Sequence, residues 1–418
     1  MTAIVVVAVI SVVSSLPFWL PRVVVALRMW VFAHVNGTEG IAVPGDLVDD
    51  SGFLNLYANP AACGRSRGAA LSDLFWYWLS PGAEVHQEHL EPGPRYDEVA
   101  RCTRAILTMP SRTADRLAVE SLDAALPPTT GLVRLRDLVM PVWAELYHRI
   151  VFGRPASDEA RGLIVGNADD VITALKCCGL RHMDRRLRLT DHLEARLDSV
   201  PHLLPTALSR REQALYLQGT FFNTAVVQSS EATAHLLMTL AAGDRMQLAA
   251  ADPDVLDHAF EQTLRRFPLF GVAHRITRAD IELPSDDVIP AGSVLCFSYP
   301  EFHQSGGYIP FGVAANRPCP AWHIAPVTVK AVVRELVGRY AFATTAAHTR
   351  SIPNRAPCLM TPRGAPVPRR RLTLAYLGAR DRWEDVGRST VQLVLGSYMV
   401  WDARRLHLCQ THFEGSTP

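Results

Sequence analysis

Lysine is nearly absent: Lys176 and Lys330 are the only two among 42 basic residues, and the rest are arginine. Acidic residues number 41, so the formal net charge is only +1. A balanced chain without a basic tract has no electrostatic footprint for a polyanion, which excludes nucleic acid as a partner. The eight cysteines contain no CxxC pair and no regular spacing, which argues against a zinc ribbon or a disulfide framework. Cys177 and Cys178 read as two small buried residues on a helix rather than metal ligands. There is no low-complexity tract and no internal repeat. With 48% hydrophobic residues over 418 positions, the chain can fill one large domain or two ordinary ones.

What the sequence has in excess is one apolar run. "AIVVVAVISVVSSLPFWLP", Ala3 to Pro21, carries no charge and as a helix is about long enough to cross a bilayer core. Pro17 is expected to break it near its end, giving a short span or an anchor that dips. No Lys or Arg precedes Arg22, unlike a secretory signal peptide. Arg22 and Arg28 follow the run, which leaves the body in the cytoplasm. The reading is an uncleaved membrane anchor, with a signal peptide and then a buried core helix as the alternatives. "VVVALRMWVFAHV" continues amphipathically and fits a membrane surface. Residues 1–36 are thus an apolar anchor and amphipathic linker, 37–368 the globular body, and 369–418 a C-terminal extension packed on it with strand-like and helical pieces.

Helical periodicity dominates the body. "PGPRYDEVARCTRAILTM" (Pro92–Met109) is a helix bearing arginines. The longest pattern starts at Ser209, where Ser209-x-x-Glu212 forms a capping box, and runs to Ala242 before Gly243. That is roughly 33 residues, or about 50 Å, enough to cross the whole domain. Its middle, "FFNTAVVQSS", mixes apolar groups with hydroxyls and amides that need partners if buried. It is either a satisfied core helix or the wall of a ligand pocket. "DPDVLDHAFEQTLRRF" is the next helix, with Gln262 and Arg265 three apart on one face. Two strands follow, in "HRITRADIEL" and after "IPAG". Then "YIPFGVAANRPCPAWHIAPVTVKAVVREL" passes from loop to helix with Cys319 at the transition. A cysteine at a helix start is drawn toward thiolate. It is a candidate metal ligand or nucleophile.

This order of elements resembles the cytochrome P-450 superfamily, the haem-thiolate enzymes, over about residues 85–362. Arg317 two before Cys319, and Ile324-Ala325 five and six after it, match the family's ligand loop. Phe311-Gly312 resembles its Phe-Gly but stands one residue too far upstream, and Ala315 and Ala321 replace usual glycines. "FEQTLRRFP" resembles the Glu-x-x-Arg helix, with Arg265 in the Arg place and Gln262 in the Glu place. Arg275 matches the arginine that pairs with a haem propionate. The resemblance implies a mainly α fold with small β-sheets, a cytochrome P-450-like fold behind a membrane-anchor helix. It implies haem b with Cys319 as the thiolate ligand of iron. Arg275, Arg317 and Phe311 would bind the cofactor, with Arg95 or Arg101 supplying a further propionate contact. Gln262 and Arg265 would be structural.

Family members carry an acid-alcohol pair mid-way along the long helix, for proton delivery to dioxygen. Ungapped counting from Arg265 puts it at Val226 and Val227, which cannot deliver protons. Asn223, Thr224, Gln228 or Ser229 substitute only if the helix bulges. The Pro-x-Arg-Phe element between Pro290 and Phe311 is also missing. The chain is therefore expected to be an oxidoreductase of bacterial specialised metabolism acting on an apolar small molecule. It is either a monooxygenase fed by a ferredoxin/reductase donor, or an enzyme that rearranges a substrate already carrying an O–O or N–O bond, as in allene oxide synthase or nitrene-transfer chemistry. The alternative is a non-catalytic haem-binding or haem-free membrane partner. A cysteine hydrolase would need a His partner, for which His303 and His323 are available.

Overall fold

The computed structural model describes residues 2–36, 40–65, 70–243, 246–366 and 368–414. The expected boundary at residue 37 lies outside them. The body is mainly helical with three small sheets.

Both halves of the capping box form at the start of the long helix. The Ser209 hydroxyl accepts from the Glu212 N–H, and the Glu212 carboxylate accepts from the Ser209 N–H. The chain then runs as α-helix over Arg210–Leu217, as a wider i→i+5 helix over Gln218–Ala225, and as α-helix again over Val226–Ala242. Gly243 closes it. Leu236, Leu237 and Leu240 are buried against the helices Leu135–Phe152 and Ala325–Arg339. This is the main core.

A second core carries the strand that matters for the site. Val294–Ser298 pairs in parallel with Ile41–Val43 and antiparallel with Val272–Ile276, so that Arg275 faces Leu295 across the ladder. Beneath this sheet Phe53 stacks on Phe302 with ring centroids 4.0 Å apart. Side chains alternate along a strand. Ala273 and Arg275 therefore share the face turned inward, while His274 stacks on Phe75.

The ends of the chain depart from expectation in two ways. Pro17 does not break the N-terminal helix, which runs unbroken over Thr2–Asn36 through Pro17 and Pro21. The two prolines are four residues apart and share one face, turned toward the body, where Pro21 is buried. The missing N–H groups thus fall on one side of the helix. The C-terminal extension is not a mixture of pieces but a single 37-residue helix, Arg370–Leu406, followed by Leu408–Glu414. Leu377, Asp381, Gln392, Met399 and Ala403 recur at helical spacing and are buried on the body.

Candidate functional site

A cavity of about 190 Å³ lies between the wide-turned part of the long helix, the strand Val272–Ile276 and the loop that carries Cys319. Most of its wall is apolar, including Leu107, Phe221, Phe260 and Leu269. Cys319, Arg275, Arg317 and Glu88 supply chemistry on one side, and Thr220, Thr224 and Gln228 on the other.

The Cys319 loop is held from outside. A small bridge joins Val313 to Asn316, and the Asn316 amide donates to the carbonyls of Tyr57 and Ala62, each at 2.8 Å. The Cys319 N–H donates to the Phe311 carbonyl at 2.9 Å, so Phe311 both lines the cavity and fixes the cysteine. Arg317 has a left-handed backbone, φ 53°. That strained conformation is held by its side chain, which donates to the carbonyls of Cys63 at 3.1 Å, Leu90 at 2.7 Å and Gln87.

Cys319 is not at a helix N-terminus. The following helix begins at Ala325, too late for its dipole to act. Burial pushes the thiol up to about 11, against one favourable contact from the Ala321 N–H. Left to itself the group is a thiol, and a strong positive charge at the sulfur is needed to make it a thiolate. Both candidate bases are engaged elsewhere: His303 accepts from the Ile309 N–H at 3.1 Å, and His323 bonds the Leu107 carbonyl at 3.2 Å. This removes the cysteine-hydrolase reading.

The charged side is a cluster of Arg65, Arg275, Arg317 and Glu88. Arg65 pairs with Glu88 and donates to the His274 carbonyl at 2.6 Å. Arg275 lies 3.5 Å from Glu88 and donates to the Tyr57 hydroxyl at 3.2 Å. Burial raises the Glu88 pKa, but Arg65, then Arg275 and Arg317, outweigh it and hold the carboxyl at about 2. Burial, with Arg275 close by, lowers Arg65 well below the usual arginine value. Three guanidinium groups face one carboxylate, a surplus of two positive charges in a buried place. Buried charge of this kind calls for partners, and the Nε atoms of Arg65 and Arg275 are buried without one. A haem, with two propionates and an iron centre, fits this set: the carboxylates match the charge surplus and the iron matches Cys319.

Across the cavity, the wide turn changes which residues face inward. The ungapped count pointed to Val226 and Val227, yet both are packed in the core and the cavity is lined by Thr224, Ala225, Gln228 and Ser229 instead. An i→i+5 turn holds more residues than an α-turn, so side chains within and before Gln218–Ala225 take a different face from those of the α-helix that follows. His86 reaches this helix. The Glu88 N–H donates to its Nδ1 at 3.2 Å, so the proton of the neutral ring sits on Nε2, facing Thr224 Oγ1 at 3.4 Å. Thr224 in turn donates to the Gly219 carbonyl at 2.9 Å.

Burial lowers the His86 pKa from 6.5 to about 4. The unfolded chain therefore binds a proton on this ring at higher pH than the folded one. Stability from the neutral ring is complete above about pH 6.5 and is lost as pH falls through 4, on the order of 3 kcal/mol in all. Urea midpoints across pH 7.5 to 4.5 should show a decline, and His86→Gln should flatten part of it. Half-buried His348, lowered to about 4, and His89, His235 and His274, also lowered by burial, leave a residual slope.

Arg95 and Arg101, expected at the cofactor, are not brought to the site, and the expected structural pair of Gln262 and Arg265 does not form. Arg95 pairs with Glu212 at the capping box, and Arg101 is exposed beside Glu98 at 3.9 Å. Both lie on the outer side of the helix Pro94–Leu107, whose buried face is apolar. Gln262 is exposed, and Arg265 turns to Glu261 at 3.1 Å, the carbonyls of Gly306 and Gly307, and the ring of Tyr308. A carboxylate one turn back is a better acceptor than an amide three residues back. Sequence reasoning missed Arg65, His86 and Glu88. The signal was the dense polar stretch "VHQEH" (Val85–His89) set among apolar and proline residues.

No protein-family model matches the chain, and no curated protein matches it. Solved structures do. A six-coordinated cytochrome P-450 from Thermus thermophilus superposes with TM-score 0.54 and 18% identity, over 72% of this chain and 86% of that one. Cytochrome P-450SP alpha in complex with (R)-ibuprofen gives TM-score 0.61 at 15% identity, over 74% and 89%. CalO2 gives 0.54 at 18%, over 74% and 89%. The fold is that of the cytochromes P-450.

Proposed function

We propose that this chain is a haem-thiolate oxidoreductase that oxidises or rearranges an apolar small molecule, attached to a membrane with its body in the cytoplasm. The observation that carries the reading is the placement of Cys319, Arg275 and Arg317 around one cavity with two uncompensated positive charges. Cys319 would ligate the iron of haem b, and Arg275, with Arg65 and Arg317 around it, would receive the propionates. Bound there, the cofactor supplies redox chemistry tuned by electron density from the thiolate.

The residues of this chain shape what happens to the substrate. The apolar wall receives an apolar body and excludes water. Thr224 and Gln228 replace the valines as the polar groups on the long helix, and His86 holds Thr224 through its Nε2 proton. None of the three is a carboxylic acid, which favours a substrate that already carries an activated O–O or N–O bond over electron-driven use of dioxygen from a ferredoxin/reductase donor. Turnover measurements decide between these. Product formation without stoichiometric NAD(P)H and O₂ consumption is the expected result, and one-to-one consumption would overturn the preference for a pre-activated substrate.

A further inference from the structure

Large apolar side chains exposed away from the cavity are not confined to the N-terminal helix. The C-terminal helix Arg370–Leu406 carries Leu372, Tyr376, Trp383, Val394, Tyr398 and Trp401, each 45–66% exposed. At 3.6 residues per turn these fall within about 100° of arc, opposite the face formed by Asp381, Gln392 and Met399 that packs on the body. The helix is about 55 Å long at 1.5 Å per residue, and the stripe follows nearly all of it. An apolar stripe of this length facing water is costly and marks an interaction surface.

Its chemistry names the partner. Within the arc the only charged residues are Arg380 and Arg405, each paired with a carboxylate at the arc's edge, Glu384 and Asp402, at 2.7 Å. Tryptophan and tyrosine with arginine beside them is the composition that settles at the boundary between lipid headgroups and acyl chains, and with both flanking acids already paired to arginine the stripe does not repel an anionic surface. Arg405 sits over the Trp401 ring at 5.7 Å, a cation on the outer face of the stripe.

The N-terminal helix continues this surface. Its stretch Ile4–Val31 is apolar enough to cross a membrane and mostly exposed, and it packs along the C-terminal helix. Arg382 lies 5.5 Å over the Phe18 ring. Further along, Arg28 lies near Cys177, where it lowers the thiol against the larger upward push of burial. Cys177 touches Gly396, at which an added Cβ would meet its sulfur at 3.3 Å. Phe18 thus goes with Arg382 and Arg28 with Gly396, so the two helices run side by side in the same direction. The C-terminal helix is too charged to enter a bilayer core, with Arg380, Asp381, Arg382, Glu384 and Asp385 in one turn and a half. A helix packed alongside it is therefore held in the same plane.

We infer that the protein lies on an anionic lipid bilayer through two parallel in-plane helices, the N-terminal one and the outer stripe of Arg370–Leu406, rather than hanging from one spanning helix. This rests on the membrane attachment proposed above.

Full-length protein and the variant Trp383→Glu/Val394→Glu/Trp401→Glu are to be compared for partition into phosphatidylcholine/phosphatidylglycerol vesicles. Burying one large apolar side chain is worth roughly tenfold in partition, so the variant should bind at least about tenfold more weakly, with unchanged far-UV circular dichroism. A variant that partitions as the wild type overturns the inference and leaves the N-terminal anchor standing. Wild type that fails to partition overturns both. A wild-type dimer that the substitutions convert to monomer, with partition unchanged, assigns the stripe to a second copy and overturns the lipid assignment. If the triple variant fails to fold, the conservative Trp383→Phe/Trp401→Phe protein serves with brominated lipids: quenching of tryptophan fluorescence should drop relative to wild type, and equal quenching is contrary to the inference.

Discussion

Cys319→Ser should abolish the thiolate signature of the bound cofactor and lower turnover by more than the roughly 10–100-fold that loss of an outer-shell partner costs a metal site. The argument is local. The Cys319 N–H is tied to the Phe311 carbonyl and the loop is pinned by Asn316, so serine is accepted without moving the backbone. Burial pushes the thiol up to about 11, and coordination is what makes it an anion. A serine hydroxyl, a far weaker acid and a harder donor, does not follow. The folded protein should keep its unfolding free energy in urea within about 1 kcal/mol, as for a near-isosteric change, while its absorption spectrum changes completely. A variant that retained the spectrum would move the ligand to another residue.

Glu88→Gln should have the second largest effect, on stability rather than spectrum. Glu88 is the one carboxylate among Arg65, Arg275 and Arg317, and taking one member from a buried ion cluster costs about 3–5 kcal/mol. The side chain keeps 24% exposure toward the cavity, so the lower end is expected. The sign with pH follows from a folded pKa of about 2 against 4.5 unfolded. The carboxylate's contribution is present above about pH 4.5 and is lost as pH falls toward 2. Urea unfolding of haem-free protein should show this acid limb in the wild type and a weaker one in the variant. Adding haem should narrow the difference at pH 7, because its propionates would take over part of the charge compensation. An equal deficit with and without haem would place the propionates elsewhere.

Much of this was legible in the sequence because it depends on short-range patterns. The capping box at Ser209 and Glu212, the length of the helix to Gly243, and the order of helix, strand, loop and helix around Cys319 all follow from local spacing. The side-chain cluster did not. Arg65 and Glu88 reach Arg275 from more than 180 residues away in sequence, and no periodicity records that meeting. The inward face of the long helix was misplaced for a physical reason. Counting from Arg265 assumes the family's ungapped spacing between the two helices, and here the cavity is lined by Thr224 and Gln228 on either side of Val226 and Val227, which pack in the core. The C-terminal helix was hidden by "TVQLVLG", in which β-branched residues mimic a strand although their burial follows helical spacing. Gln262 stood in a familiar position in the resemblance, but Glu261 lies one residue earlier and is the acceptor that Arg265 uses.

The absorption spectrum of the purified, dithionite-reduced protein with and without carbon monoxide is the most direct test of the central claim. A Soret band shifted far to the red on adding carbon monoxide, and absent in Cys319→Ser, is the predicted result. Protein that binds no haem, or whose carbon monoxide complex shows only the shorter-wavelength band of a histidine-ligated haem, would contradict it.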